Sequence, residues 1–534
     1  MNAEDTLRTY HALCAARRPW EGWWSTLRRY VLPDRREAEE GSAPGASRLA
    51  DTTAVEACQK LAGAHLSYLT PGNELWFKWG SPQHDAGDEA EAWYNTCSDI
   101  ANRELSLSNF YTALHECFLD RVALGTGSLY CGTTRSGRLL FRNIPCGRFV
   151  CGENDEGTVD TYMREFSFTP HQAAAQFGVR ALGPRAQALL RNPATEHEPG
   201  LRFLHVVSPR TKRNRRRSDA RNRPFRSLYF SLDDNCTVEE NGYHEMPYMV
   251  TRFLRWGDGP YGLPPARLVY PDILQSQFLN RILDMLGEVA AFPRILELSN
   301  QVGEVDLRAG GRTLISPESA SLGFPREWAT QGRYDVGMDR LRQKQESIRR
   351  AFFLPMLEIW SENKQHITAA EVYARENERV MQFSPSFTLF ACDFRPLMER
   401  IFALLFRRGA FPRPPASAQQ VDATGRASVP MPQVVYQGRI AMVIRRIRAE
   451  GIERTLQRLQ AMAGLYPELT DHVDPDRTFR MAARMDGAPE EVLRSTTAVR
   501  RLRSARNEQA RQAAELAAAA QDADLPVTPE TSHE

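Results

Sequence analysis

The sequence predicts an α+β chain that is predominantly helical, and three observations carry that prediction. Apolar residues recur at helical spacing over long stretches near both ends. From Gly127 to Leu232 the pattern changes to short apolar runs separated by turn residues, as strands do. Two long helical patterns, Asp272–Ala291 and Asp335–Phe353, flank a Gly-containing insert. The 534 residues, 42% hydrophobic and 25% charged, are ordinary globular composition, enough for about three or four domains. With 68 basic residues against 66 acidic, the net charge of +2 argues against a protein that coats nucleic acid by bulk charge. The basic side is five lysines and 63 arginines. Nine cysteines without a CxxC pair read as buried reduced thiols of a cytoplasmic protein. No apolar run approaches the roughly 18 residues of a membrane span. The N-terminus, with Glu4 and Asp5, lacks the apolar core of a secretory signal.

The elements follow in order. Trp20, Trp23, Trp24, Leu27 and Val31 form one helical stripe flanked by Arg17, Arg18, Arg28 and Arg29. It is either a helix packed on a core, the favoured reading, or an interfacial membrane helix. A second helix runs from Asp51, its expected N-cap, to Leu69 and stops at Thr70-Pro71-Gly72-Asn73. A third covers about 90–124 with a break near 106–109. Strands are expected at Ser128–Cys131, Arg138–Asn143, Thr158–Phe166, Phe203–Ser208 and Ser227–Ser231. Between the last two lies Arg210–Arg226, with nine basic residues and one acid, Asp219. Two readings stand there, a nucleic-acid contact or a solvated mobile arm, the second favoured because no aromatic is interleaved before Phe225.

The long helix 271–291 has an expected apolar stripe of Ile273, Leu274, Phe278, Ile282, Leu286 and Val289. The helix Asp335–Phe353 carries Arg340, Arg342, Lys344, Arg349 and Arg350 against Asp335, Asp339 and Glu346. A loop, Leu357–His366, precedes a helix start where Thr368 and Glu371 make a capping box and Ile367 and Val372 a hydrophobic staple. A further helix, Phe387–Arg408, presents Phe390, Phe394, Leu397, Met398, Ile401 and Leu405 on one face, with a kink expected at Pro396. The Pro- and Ala-rich stretch 410–432 reads as a linker, followed by helices at about 438–466, 478–485 and 490–521 and a polar tail.

Catalytic patterns are missing. There is no GxxxxGK[ST], no HExxH, no GxSxG and no His/Cys cluster with metal spacing. Gly257–Gly262 matches GxGxxG by letter, but Pro264 and Pro265 stand where a phosphate-binding helix would begin. Asp233-Asp234 reads as a hairpin turn rather than a metal pair. No catalytic, cofactor-binding or metal residue is assigned.

Several blocks in order carry a resemblance. They are Arg18-Pro19-Trp20-Glu21 with Trp24; Asp51-Thr52 through Leu61-Ala62; Leu69-Thr70-Pro71 before Trp76-Phe77; Gly125-Thr126-Gly127 with Leu129-Tyr130; Tyr261-Gly262-Leu263-Pro264-Pro265; and Ile367–Val372 with Arg375 and Glu378. No block is diagnostic alone. Their colinearity over most of the chain resembles the head-to-tail connecting, or portal, proteins of short-tailed bacteriophages. The resemblance implies the portal fold and a dodecameric ring at one capsid vertex. Residues 1–265, including the β-rich module at 127–232, and 368–410 would form a wing. Residues 266–291 and 335–353 would be stem helices, 292–334 a clip and 354–367 a channel loop. A linker at 411–433 would lead to a helical crown at 434–505 and a basic, Ala-rich helix end and tail at 506–534.

Implied partners are other copies of the chain, double-stranded DNA in the channel, the terminase large subunit, then a tail adaptor, with major capsid and scaffolding proteins around the ring. Membrane insertion is not implied. The implied place is the portal vertex of the virion, with assembly in the host cytoplasm, and the implied role is non-catalytic. Arg340, Arg342, Lys344, Arg349 and Arg350 are candidates to face the DNA, the alternative being ion pairs between neighbouring helices. Glu358, Glu362, Lys364 and His366 of the channel loop either touch DNA as a valve or form a plain connector. Rival identities are another virion ring component such as a tail adaptor, usually much shorter, or a DNA-packaging enzyme subunit, for which the phosphate loop is missing.

Overall fold

The computed structural model describes residues 3–33, 49–82, 87–192, 200–214, 217, 219–257, 259–292, 295–298, 306, 308, 311–315, 318, 334–357, 369–421, 427–437, 451–462, 466–485, 492, 494 and 496–523. The chain divides into two compact units, Met1–Phe77 with Ser98–Phe411, and Lys78–Cys97 with Pro412–Glu534.

The first helix, α1 (Ala3–Val31), buries Trp24, Leu27 and Val31, as the stripe predicts. Two of its four flanking arginines are spent on the protein's own backbone, while Arg18 and Arg29 are exposed. Arg17 donates to the carbonyls of Gly147 (2.8 Å) and Phe149 (2.7 Å), and Arg28 to that of Cys146. These contacts favour the core reading over the interfacial one. Helix α2 (Thr53–Leu69) has Thr52 as its N-cap, one residue later than expected. Asp51 instead turns its carboxylate onto the Thr53 amide (3.3 Å) and hydroxyl (2.7 Å). After strand β1 (Phe77–Gly80) come α3 (Gly87–Ser106) and α4 (Phe110–Leu124), broken where the sequence predicts.

All five expected strands are present. They are β2 (Thr126–Thr133), β3 (Leu139–Asn143), β5 (Val159–Phe168), β6 (Leu201–Pro209) and β7 (Phe225–Ser231). Three more, β4 (Phe149–Glu153), β8 (Cys236–Tyr243) and β9 (Tyr248–Arg252), were not expected. Strand β8 is a polar edge, and β9 is buried at all five positions, so neither shows clean alternation. Two short helices, α5 (Pro170–Phe177) and α6 (Pro184–Leu190), interrupt the strands. The first had a legible start, since Thr169 and Gln172 form a full capping box. The strands make an antiparallel meander, β4-β5-β6-β7-β8, and a three-stranded sheet, β3-β2-β9. Asp233 and Asp234 lie in the β7–β8 turn. Their carboxylates accept from the amides of Arg202 (2.7 Å) and Arg185 (2.9 Å), which agrees with the turn reading.

Two long helices follow, α7 (Tyr270–Ala291) and α8 (Tyr334–Ala351). Between them the described residues include a parallel pair, β10 (Ile295–Leu298) and β11 (Arg312–Ile315). Helix α9 (Ala369–Arg408) is continuous for 40 residues, where the sequence suggested two helices. It runs through Pro385 and Pro396, each of which removes one backbone donor from the helix. Its six expected core residues are all buried. Charged residues seven apart anchor the same helix. Asp393 takes the Arg252 guanidinium (2.8 Å) and amide (2.9 Å), and Arg400 donates to the Cys131 carbonyl (2.8 Å). Arg407 grips Glu245 with both guanidinium nitrogens, at 2.6 and 2.8 Å. Arg252 also pairs with Glu153, and Arg121 donates to the Arg252 carbonyl (3.0 Å).

The two sheets are tied by a buried polar network. His205 Nδ1 lies 2.6 Å from the Tyr248 hydroxyl and Nε2 lies 2.9 Å from Ser227 Oγ, while its ring stacks on Tyr229 at 4.2 Å. Tyr162 stacks on Tyr248 at 3.9 Å.

In the second unit the Trp93 indole donates to the Pro412 carbonyl (3.0 Å) and the Tyr94 hydroxyl to that of Pro430 (3.2 Å). The Pro-rich stretch is thus fastened to α3 residues, and it carries a two-residue strand pair, Gln420–Val421 with Ala427–Ser428. Helical residues 451–462, α10 (Pro475–Met485) and α11 (Thr496–Ala523) follow, with Arg503 bidentate on Asp476 at 2.6 Å.

Burial pushes the His205 imidazole down to about 3, with Arg164 adding to the effect. The unfolded chain takes that proton near about pH 6.5, so this part of the stability is complete above that pH and is lost towards pH 3. The expected slope is up to ~1.4 kcal/mol per pH unit. Denaturant melts at neutral and mildly acid pH should show a smaller acid loss in His205→Gln than in the parent. Equal losses would refute this account of the imidazole.

Candidate functional site: the paired helices and their root

The feature that separates this chain from a plain α+β body is the pair α7 and α8. At 1.5 Å per residue they are rods of about 33 and 27 Å. They bury Ile273 and Leu283 on one side and Leu341 and Ile348 on the other. At Gly337 an added Cβ would meet Leu283 at 2.8 Å, so glycine lets the rods approach closely. Across the seam, Lys344 Nζ meets Asp272 at 2.8 Å and the Ser347 hydroxyl donates to the same carboxylate at 2.7 Å. The hydrogen bonds from Lys344 and Ser347 hold the Asp272 carboxyl below its usual range.

The root of the rods is built from the blocks that carry the family resemblance. Gln277 of α7 accepts from the amides of Ala50 (2.9 Å) and Asp51 (3.2 Å) and donates back to the Asp51 carbonyl (2.5 Å). Gln345 of α8 donates to the Asp51 carboxylate (3.2 Å), so one residue binds both rods. Nearby, two glycines cross. Gly125 sits at φ +86, and a Cβ there would lie 2.1 Å from the Gly262 carbonyl oxygen. A Cβ on Gly262 would lie 2.5 Å from that of Gly125. The Gly262 amide donates to Thr126 Oγ1 (2.9 Å), and Phe253 N to the Gly125 carbonyl (2.9 Å). Tyr261, 2% exposed, packs against Trp24 (5.2 Å) and Trp20 (5.9 Å) of α1. Three short motifs, Trp20–Trp24, Gly125–Gly127 and Tyr261–Gly262, individually weak, therefore form one joint.

The expected apolar stripe of α7 is split. Ile273 is buried with Ser276, Gln277 and Leu283, whereas Phe278 is 63% exposed and Met285 59%. Leu274, Ile282 and Val289 are half-buried on the side shared by Phe278 and Met285. The period merged two faces because apolar residues occupy two separate sides of α7, while Gln277, Asn280, Arg281, Asp284 and Glu288 share a polar sector.

The candidate channel residues divide likewise. Arg340, Arg342, Arg349 and Arg350 are exposed, and the first three have no ion pair among the described residues. Lys344 is engaged by Asp272 instead. Helical spacing puts Asp335, Asp339, Arg342, Glu346 and Arg349 on one stripe, turned away from Leu341 and Ile348. Glu358, Glu362, Lys364 and His366, and the Thr368 cap, lie outside the described residues.

Ser227, His205 and Tyr248 align as hydroxyl, imidazole and hydroxyl, yet they are only 1–3% exposed and serve to join sheets. No group of three or more His, Cys, Asp or Glu able to hold a metal is found among the described residues. Six of the nine cysteines are buried and none is in a disulfide. Burial pushes the thiols of Cys97 and Cys151 up to about 12. Cys392 is exposed, unlike the expectation for the set. No described helix is long and apolar enough to cross a membrane.

A pair of rods rooted in a mixed helix-and-sheet body, with an uncovered apolar face, is the architecture to set beside known proteins. The model of the bacteriophage head to tail connecting proteins matches residues 3–493. A probable portal protein of Bordetella phage BPP-1 is 24% identical over 97% of this chain and 93% of its own length. The portal protein of Salmonella phage epsilon15 is 23% identical over 89% of this chain and 86% of its own. A chain from the virion of a native gene transfer agent particle aligns at a TM-score of 0.29 and 10% identity, over 72% of this chain and 88% of that one, too loosely to bear on the fold. The chain belongs to the head to tail connecting proteins of bacteriophages, and its function is that of a portal, a component of the virion.

The glycine crossing makes a sharp prediction. Gly125→Ala should destabilise the first unit by about 2–4 kcal/mol through left-handed strain and backbone collision. Gly63→Ala in α2, with nothing within 4 Å of the new methyl, should be neutral or stabilising. Equal unfolding midpoints for the two variants would contradict the joint.

Proposed function

We propose that the chain closes into a dodecameric, non-catalytic ring at one capsid vertex, through which double-stranded DNA enters during packaging and leaves at ejection. Residues 266–291 and 335–353 are its stem and 292–334 its clip, where the terminase large subunit docks and later a tail adaptor. Residues 1–265 and 368–410 are its wing, set among capsid and scaffolding proteins, and 434–505 its crown. The observation that carries the ring is the outer face of α7. Phe278 and Met285, 63% and 59% exposed, sit with Leu274, Ile282 and Val289 on a helix whose other face is already packed. A second copy of the same rod pair is the natural cover for such a stripe in a closed assembly.

The α8 stripe supports the conduit. Arg342 and Arg349 alternate with Asp335, Asp339 and Glu346, so a passing phosphate backbone meets positive charge that adjacent carboxylates keep from gripping. Each phosphate neutralised adds salt-sensitive affinity that would stall sliding. Arg350 borders the stripe, Arg340 lies one turn before Lys344 on the other side of the helix, and Lys344 acts mainly as a strut to Asp272. Glu362, Lys364 and His366 of the channel loop are proposed as the valve.

Phe278→Asp with Met285→Asp should convert rings to smaller species by native mass or light scattering, with unchanged helical content; intact rings would reject the α7 interface. Arg342→Glu with Arg349→Glu should leave rings intact and cut the fraction of DNA-filled heads several-fold. Normal filling would remove these residues from the channel, and lost rings would assign them to subunit contacts.

A further inference from the structure

The most concentrated charge in the chain lies away from the rods. Segment Arg210–Arg226 has nine basic residues and one acidic; the rest of the chain, 68 basic less nine against 66 acidic less one, is net acidic. The sequence favoured a mobile arm there, but its described residues form a built hairpin tip. The β6–β7 ladder runs to Pro209 opposite Phe225 and is extended by Arg210 N donating to the Pro224 carbonyl (2.8 Å). Arg210 and Arg226 both hold Glu240 of β8 at 3.1 Å, and Arg223 donates to the Gly242 carbonyl (2.9 Å). The turn Ala220–Asn222 lies so close on β8 that a Cβ at Gly242 would stand 2.3 Å from the Ala220 oxygen. Asn222 closes the tip, accepting from the Asn214 amide (2.8 Å) and donating to Asp219 (2.6 Å).

The charges are therefore sorted. Three arginines at the base hold the hairpin, and the acid, Asp219, is bonded to Asn222. Lys212, Arg217 and Arg221 are exposed and Arg213 half-exposed, without an acidic partner among the described residues. No aromatic or large aliphatic side chain accompanies them before Phe225, so the tip lacks the apolar anchor that a protein partner's hot spot requires. It also lacks the stacking platform of a single-strand binder. Exposed guanidinium and ammonium groups carried on a hydrogen-bonded base suit a regular array of phosphates read without sequence. We propose that the β6–β7 hairpin tip, through Lys212, Arg213, Arg217 and Arg221, is a docking surface for the phosphate backbone of duplex DNA, separate from the paired rods. Only the choice of DNA over other duplexes rests on the portal reading.

The test is binding of a fluorescent DNA duplex to the full-length assembly, followed by anisotropy between about 50 and 200 mM salt. Replacing Lys212, Arg213, Arg217 and Arg221 together by Gln should weaken binding by at least ~10-fold and reduce the log–log salt slope by about 3–4, near 0.9 per phosphate lost. An unchanged unfolding transition shows that the fold survives. Equal affinity and slope in this variant would overturn the proposal, as would a loss confined to Arg342→Gln with Arg349→Gln, which would place binding on the rods alone. Polyglutamate displacing the duplex as well as unlabelled DNA does, at matched charge, would reassign the tip to an acidic protein and also overturn it.

Discussion

The body of the first unit depends on Arg252. Its side chain, 5% exposed, lies between Asp393 and Glu153, and its own amide and carbonyl are taken by Asp393 and Arg121. Burying a guanidinium is costly unless carboxylates compensate its charge, and removing one partner of such a pair typically costs about 3–5 kcal/mol. The partners come from β4, before the rods in sequence, and from α9, after them. The body can close only when the chain has gone out along α7 and returned along α8. The rods are thus inserted into a domain completed on both sides of them, and a load on them passes into a core held by charge and packing together.

The root translates that topology into stiffness. Asp51, Gln277 and Gln345 tie both rods to the start of α2, and the Gly125–Gly262 crossing brings two backbones closer than any side chain would allow. Tyr261 wedges the same loop against the tryptophans of α1. The protein spends its polar pairing and its glycines here and leaves the outer face of α7 uncovered. That division suits a subunit whose single-chain fold is only part of its final packing.

Much of this was legible in the sequence. The apolar face of α9, from Phe390 to Leu405, and the break between α3 and α4 follow from helical periodicity and turn residues, which act locally. Strands β5, β6 and β7 of the meander were visible as short apolar runs between turn residues, and β4 was not. Strand β9 escaped notice because it is buried on both faces, and β8 because it is a polar edge. Asp51 was displaced from its expected cap because Thr53, Gln277 and Gln345 compete for it, and two of those lie more than two hundred positions away in the chain.

By itself the sequence determined the class of fold, the two rods and the family, since these rest on spacings and on the order of short motifs. Tertiary structure decided which side of each rod is spent. Hydrophobic periodicity reports that α7 is apolar but not that Ile273 is covered while Phe278 is bare. Charge counting reports arginines and a lysine on α8 but not that Lys344 is bound to Asp272 while Arg342 is free of ion pairs among the described residues. The physical reason is that a side chain's role is set by what lies opposite it, and for the rods and the Arg210–Arg226 hairpin those partners are fixed only when distant segments meet.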